Sequence, residues 1–137
     1  MSTLMATHAA ATWALVGLIW MVQLVHYPLL ANVGADQFRH YHARHTRQIT
    51  WIVAPLMLAE LVTALLGLVG GPTEAWLLVS LLPLAFVWGA TWRIQIPLHR
   101  KLATGFDPET HRKLVSSNWW RTGAWTLRGL CVLYGMS

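Results

Sequence analysis

The sequence predicts an all-α integral membrane protein, a four-helix bundle with its N- and C-termini on the same, non-cytoplasmic side. Three observations predict it. Hydrophobic residues make up 55% of the 137 and charged residues only 11%, far below the about 25% charge of a soluble domain. The apolar stretches reach the length of about 20 residues that a spanning helix needs. Basic residues gather at alternate connections, as the positive-inside rule requires. The expected organisation is one transmembrane domain over residues 1–137, with helices at about 9–33, 36–69, 75–104 and 108–136.

The first stretch carries no Lys, Arg, Asp or Glu before Asp36. It lacks a basic opening, and its apolar run exceeds the roughly 7–15 residues of a secretory signal, so a retained spanning helix is expected. The second runs from Thr46 to Val69 and is broken only by Arg47, Gln48 and Glu60. The third runs from Ala75 to Trp92 and continues, more polar, to Lys101. The fourth starts near Pro108, turns apolar from Leu114 and carries Arg121 and Arg128 inside it. No internal repeat or low-complexity tract stands out.

Arg39, Arg44 and Arg47 flank the first connection, and Arg93, Arg100, Lys101, Arg112 and Lys113 flank the third. The second connection, Gly70-Gly71-Pro72-Thr73-Glu74, has no basic residue. Connections one and three are therefore expected in the cytoplasm, and the expected location is a bacterial inner membrane. The net charge of +5 then reflects topology and contact with anionic lipid, and it calls for no nucleic-acid partner. A single cysteine, Cys131, excludes a disulfide within the chain and reads as a small buried hydrophobe. A homo-oligomer is left open.

Ionisable residues inside a bilayer are costly and face the bundle interior. At about 100° per residue, each helix shows one polar stripe. His8 and His26 share a face of the first helix, with Thr12, Ile19, Val22 and Gln23 beside them. His42 and Glu60 share a face of the second, with His45 alongside and His40 turned away. Trp88, Trp92, Gln95 and His99 follow one another on the third, and Asn118, Arg121, Trp125 and Arg128 on the fourth. Counting depth from the helix ends puts His26, His42, His45 and His99 near one level at the cytoplasmic side. The same count sets Glu60 against Arg128, so a buried ion pair is expected, structural in the first instance.

Imidazole is the common ligand of copper, zinc and haem iron. His42 and His45 lie one turn apart on one face, and His26 and His99 add donors from neighbouring helices. These four are the candidate ligands of a transition metal. No cysteine or carboxylate lies at that level, so the site is nitrogen-rich, with copper favoured and zinc or haem iron as alternatives. His40 and His111 read as interfacial residues bonded to headgroups or backbone. Trp88, Trp92, Trp119 and Trp125 are candidate walls of an aromatic-lined substrate pocket, while Trp76 and Trp13 suit interfacial anchoring. Arg93 and Arg121 either snorkel to the headgroups or, for Arg121, meet an anionic or phenolate oxygen. Asn118 can orient a ligand or a histidine beside it. Asn118 and Arg121 are the candidate catalytic pair.

The segments Tyr27-Pro28-Leu29-Leu30, Ile96-Pro97-Leu98-His99 and Asn118-Trp119-Trp120-Arg121-Thr122 resemble patterns of the anthrone-oxygenase-like small membrane proteins. The opening half is also similar to the membrane protoporphyrinogen oxidases, through Trp20, Tyr27, Pro28, the His40–His45 region and Pro55-Leu56-Met57. Both resemblances imply redox chemistry on a flat, hydrophobic aromatic substrate.

The leading expectation is a metal-dependent membrane oxidoreductase, an oxygenase or oxidase. Its substrate is a hydrophobic small molecule, a quinol, anthrone or other aromatic, that enters from the lipid bilayer. A haem b-binding redox protein with two axial histidines from different helices is the second expectation. A non-enzymatic subunit or small transporter, whose stripes line a path or contact a partner, is the third.

Overall fold

The computed structural model describes residues 2–70 and 74–137; Met1 and Gly71, Pro72 and Thr73 of the second connection lie outside the described residues. Four helices follow one another: α1 (Thr3–Leu30), α2 (Ala35–Val69), α3 (Ala75–Leu102) and α4 (Pro108–Met136). Ser2, Gly70, Glu74 and Gly135 line one shallow cavity, so both ends of the chain and the α2–α3 connection sit together. The two basic connections lie at the opposite end.

Helix α1 starts several residues before the apolar run does. The Ser2 hydroxyl accepts from the Met5 amide at 3.2 Å, which satisfies one of the free N–H groups of the first turn. Helix α4 is capped in the same way. Asp107 accepts from the Thr110 amide at 2.9 Å and also from the Thr110 hydroxyl, and Pro108 occupies the first turn, where a missing N–H costs nothing. The turn before it needs Gly105, whose φ of +149° suits glycine best.

The bundle shows large apolar side chains on its outer surface and buries its charged and polar groups beside an apolar core. Trp51, Leu82, Val69 and Tyr134 are each at least three-quarters exposed, while Glu60, Arg128, Asn118 and Ser80 are fully buried. A water-soluble protein is built the other way round; a lipid solvent explains this one. Helices α1, α2 and α3 are each long and apolar enough to cross a membrane. Helix α4 averages less apolar because it carries Arg121 and Arg128. Both are buried, and its outward face shows Trp120, Leu127, Leu130 and Leu133.

Two apolar clusters hold the helices together. Leu15, Ile19, Met57, Leu84, Val87 and Trp125 pack in the middle. Tyr27, Leu30, Phe38, Leu102 and Leu114 close the basic end. Packing is close between α1 and α2, between α3 and α4 and between α1 and α4, and sparse between α2 and α3. That looser seam positions the site.

Helices α1 and α3 share a local irregularity. Each contains a π-helical segment, Val22–His26 in α1 and Thr91–Gln95 in α3. The Tyr27 amide reaches back to the Val22 carbonyl and the Ile96 amide to the Thr91 carbonyl, one residue further than in an α-helix. A proline stands second after each segment, Pro28 and Pro97. Proline lacks the N–H and presses on the carbonyl four residues back, and a widened turn relieves that clash. A widened turn also makes later side chains lag by about one residue, roughly 100°.

Candidate functional site

The seam between α2 and α3 holds a cavity of about 650 Å³. Its walls are mainly apolar: Leu18, Ile19 and Val22 from α1, Ile49, Val53 and Met57 from α2, Trp88 and Trp92 from α3, and Trp125 from α4. Its polar end lies toward the basic connections, where Tyr27, His42, His45, Gln95, His99 and Arg121 face it. A small-molecule site commonly has this make-up, an apolar body with a few converging polar groups.

The polar end is one hydrogen-bonded chain. The Tyr27 hydroxyl lies 2.9 Å from His99 Nε2 and donates to Gln95 Oε1 at 3.4 Å. His99 Nδ1 lies 3.1 Å from His42 Nε2. Gln95 is fixed by its donation to the Ser117 hydroxyl at 2.9 Å. Neutral imidazole carries one N–H and one lone pair, so the chain Tyr27–His99–His42 has two tautomeric arrangements. Passing from one to the other moves a proton from one end to the other. His45 makes no hydrogen bond to another described residue and lies open to the cavity. Its ring stacks on His26, with centroids 3.6 Å apart and planes 24° apart.

The four histidines marked in the sequence are therefore gathered in one cluster, but as two contacting pairs. Among the described residues no three His, Cys, Asp or Glu side chains are placed to hold a metal ion. The geometry shows why. His99 engages both ring nitrogens with protein groups. His26 and His45 lie face to face, which keeps their in-plane lone pairs from converging on one point. In this arrangement the four do not converge on one metal position. Nor does haem fit either pair, because a porphyrin has to pass between its axial imidazoles and these are in contact.

The candidate catalytic pair separates into two roles. Asn118 is fully buried and does not reach the cavity. Its amide donates to Gln23 Oε1 at 2.8 Å, and its Oδ1 accepts from Arg121 Nη1 at 2.8 Å. Asn118 positions Arg121 rather than a histidine. Arg121 does not snorkel; it is 6% exposed, lines the cavity, and its guanidinium carbon lies 5.0 Å from the centre of the Trp125 ring. Arg93, by contrast, is exposed.

Of the four candidate wall tryptophans, Trp88, Trp92 and Trp125 line the cavity. Trp119 does not. It is 47% exposed and packs edge-on against Trp20 at 5.8 Å, because it lies one residue, about 100°, off the inward stripe of Asn118. His40 is exposed, and His111 Nε2 lies 2.7 Å from the Tyr27 carbonyl oxygen, where it satisfies a free carbonyl near the end of α1.

Tyr27 is the cavity-lining side chain that stripe counting underrates. Counted straight down α1, His26 points inward and Tyr27 lies well to one side. The π-helical segment brings Tyr27 inward, where it is 5% exposed, and turns His26 toward His45 on α2. The sequence signal was Pro28, and on α3 it was Pro97.

Glu60 and Arg128, matched by depth alone, meet at 2.7 Å with both side chains fully buried. Glu60 also accepts from the Thr12 hydroxyl at 3.0 Å and from Trp125 Nε1 at 3.1 Å. Arg128 also donates to the Ser80 carbonyl at 2.6 Å, and His8 Nε2 lies 3.3 Å from its Nη2.

No family model, no curated protein and no solved structure matches the chain. What it does has to be read from the site itself.

Proposed function

We propose that the chain is a membrane-embedded oxidoreductase of the oxygenase or oxidase kind, acting on a flat hydrophobic aromatic or quinone-like molecule. The observation that carries this reading is the α2–α3 cavity, apolar along its length and ending on Tyr27, His42, His45 and His99. Its walls belong to the seam where the helices pack least closely, so the substrate enters from the bilayer without crossing water. On this reading the polar end faces the cytoplasm, the side that the positive-inside rule gives the basic connections, and the membrane is a bacterial inner one.

The chemistry that these side chains support begins with a proton. His45 faces the cavity with its nitrogens free of protein partners and acts as general base on an acidic C–H or O–H of the substrate. Tyr27, placed by His99 and Gln95, turns its one O–H from Gln95 to the substrate oxygen. The His99–His42 pair restores its proton. An aromatic ketone deprotonated beside its carbonyl becomes an electron-rich enolate, which dioxygen oxidises to the quinone with release of water. No metal is required for that balance.

Copper binding is a second reading, favoured by one observation. His26 Nε2 and His42 Nδ1 are buried without a partner, and free imidazole nitrogens are what a copper ion takes. Metal analysis and an absorption spectrum of the purified protein decide it.

The test of the main reading is turnover of anthrone in lipid nanodiscs under air, followed by quinone absorbance. Wild type accelerates the reaction, and His45→Ala lowers the rate by about 10²-fold or more, the usual weight of a general base. His40→Ala, on the opposite face, leaves it unchanged. Absence of acceleration by wild type, or equal rates for H45A and H40A, removes this reading in favour of a non-enzymatic subunit or transporter.

A further inference from the structure

Arg121 is a buried cation for which the described chain offers no carboxylate. The chain has five acidic residues. Glu60 pairs with Arg128, Asp107 with Lys101 and Glu109 with Lys113. Asp36 and Glu74 are exposed, and Glu74 accepts from Trp76. Arg121 has only neutral neighbours: Asn118 at 2.8 Å, the Trp125 ring and the Tyr27 hydroxyl. Its Nε is buried without a partner.

A second unpartnered donor stands on the same cavity. Trp88 Nε1 is buried with no partner among the described residues, and Trp88 and Arg121 both line the space. A buried charge without a counter-charge is costly, and so is a buried N–H without an acceptor. The two donors ask for the same kind of partner: both want an acceptor, and Arg121 wants a negative charge.

We propose that Arg121 binds an ionised oxygen, phenolate or enolate, on the flat molecule held between α2 and α3. This rests on the reading of that cavity as a binding site for such molecules. Charge and planarity suit the guanidinium, which pairs with anionic oxygen through fixed, forked donors. Trp125 beneath it and Asn118 beside it hold the fork in place. The neutral form of the same molecule lacks the charge and binds more weakly, so the site selects the ionised species.

The test uses the purified protein in nanodiscs, with quenching of tryptophan fluorescence as the readout. The probes are lawsone, a naphthoquinone whose acidic hydroxyl is ionised at neutral pH, and menadione, a methyl-substituted counterpart with no ionisable group. Wild type binds lawsone about tenfold more tightly, the order gained when a neutral acceptor becomes a charged one. Arg121→Gln brings the two affinities within about twofold while menadione binding is kept, and Arg121→Lys retains part of the preference. Equal affinity of wild type for both probes overturns the proposal and leaves the cavity reading standing. If wild type binds neither, both fall. Should R121Q fail to fold, the wild-type ratio and its survival in R121K decide the matter.

Discussion

Removing Arg128 strands a carboxylate in the middle of the bundle. In Arg128→Ala, Glu60 loses its only cationic partner among the described residues, and the Ser80 carbonyl and His8 Nε2 lose the guanidinium they share. Glu60 keeps the Thr12 and Trp125 donors, which softens the loss without supplying charge. Breaking a buried pair from one side costs about 3–5 kcal/mol, or roughly two to four orders of magnitude in the folding constant. Reversible titration with sodium dodecyl sulfate in mixed micelles, read by tryptophan fluorescence, measures it. The double change Glu60→Gln with Arg128→Met removes both charges and leaves a neutral acceptor for Thr12 and Trp125. It recovers a large part of the loss, because replacing both partners avoids the stranded charge. A cost under about 1 kcal/mol for R128A, well below the stranded-charge range, refutes the reasoning. So does a double variant as unstable as the sum of the singles.

Other outcomes follow from the same coordinates. His111→Ala leaves the Tyr27 carbonyl without its side-chain partner and lowers stability by about 1 kcal/mol in the same titration, with any bound metal unaffected. Thr110 holds the Asp107 carboxyl below its ordinary pKa, through its hydroxyl first and its amide second. The cap's contribution is therefore present above the unfolded value of about 3.9 and is lost as pH falls through the lower folded value; hydrogen exchange at the start of α4 rises only in that acid window. In a Cys131→Ala background, cysteines at Glu74 and Thr104 label from opposite sides of the membrane, and labelling from one side sinks the four-helix topology.

The helical architecture was legible because a bilayer leaves few choices. A spanning helix has a fixed minimum length, and its polar residues have only the interior to face. Glu60 and Arg128 were legible for the same reason: α2 and the inner part of α4 run without a phase break, so depth and angle could be counted. The histidine level was legible as a level and not as a geometry. His26 and His99 each follow a π-helical segment or lie within one, and a lag of roughly 100° decides whether a ring points at a neighbour's nitrogen or at its face. The start of α1 was missed because hydropathy registers lipid contact, whereas Ser2 ends the helix through one hydrogen bond. Trp119 was misplaced by a smaller error, a single position off the stripe.

The two arginines of α4 show why counting acceptors separates structure from function where burial cannot. Arg121 and Arg128 lie on one face, two turns apart, and both are buried. Arg128 is saturated by Glu60, Ser80 and His8, so its charge is spent on holding α1, α2, α3 and α4 together. Arg121 has an amide, a phenol and an aromatic face, and its Nε has no partner. Trp125 stands between them, with its N–H on Glu60 and its ring under Arg121. An indole N–H donates and has no lone pair to accept with, so protons do not pass through Trp125 from the Glu60 cluster to the cavity. On the proposed function the cavity exchanges protons through the histidines instead, toward the basic end. The indole thus divides the polar interior into a closed network around Glu60 and Arg128 and an open one that faces the cavity.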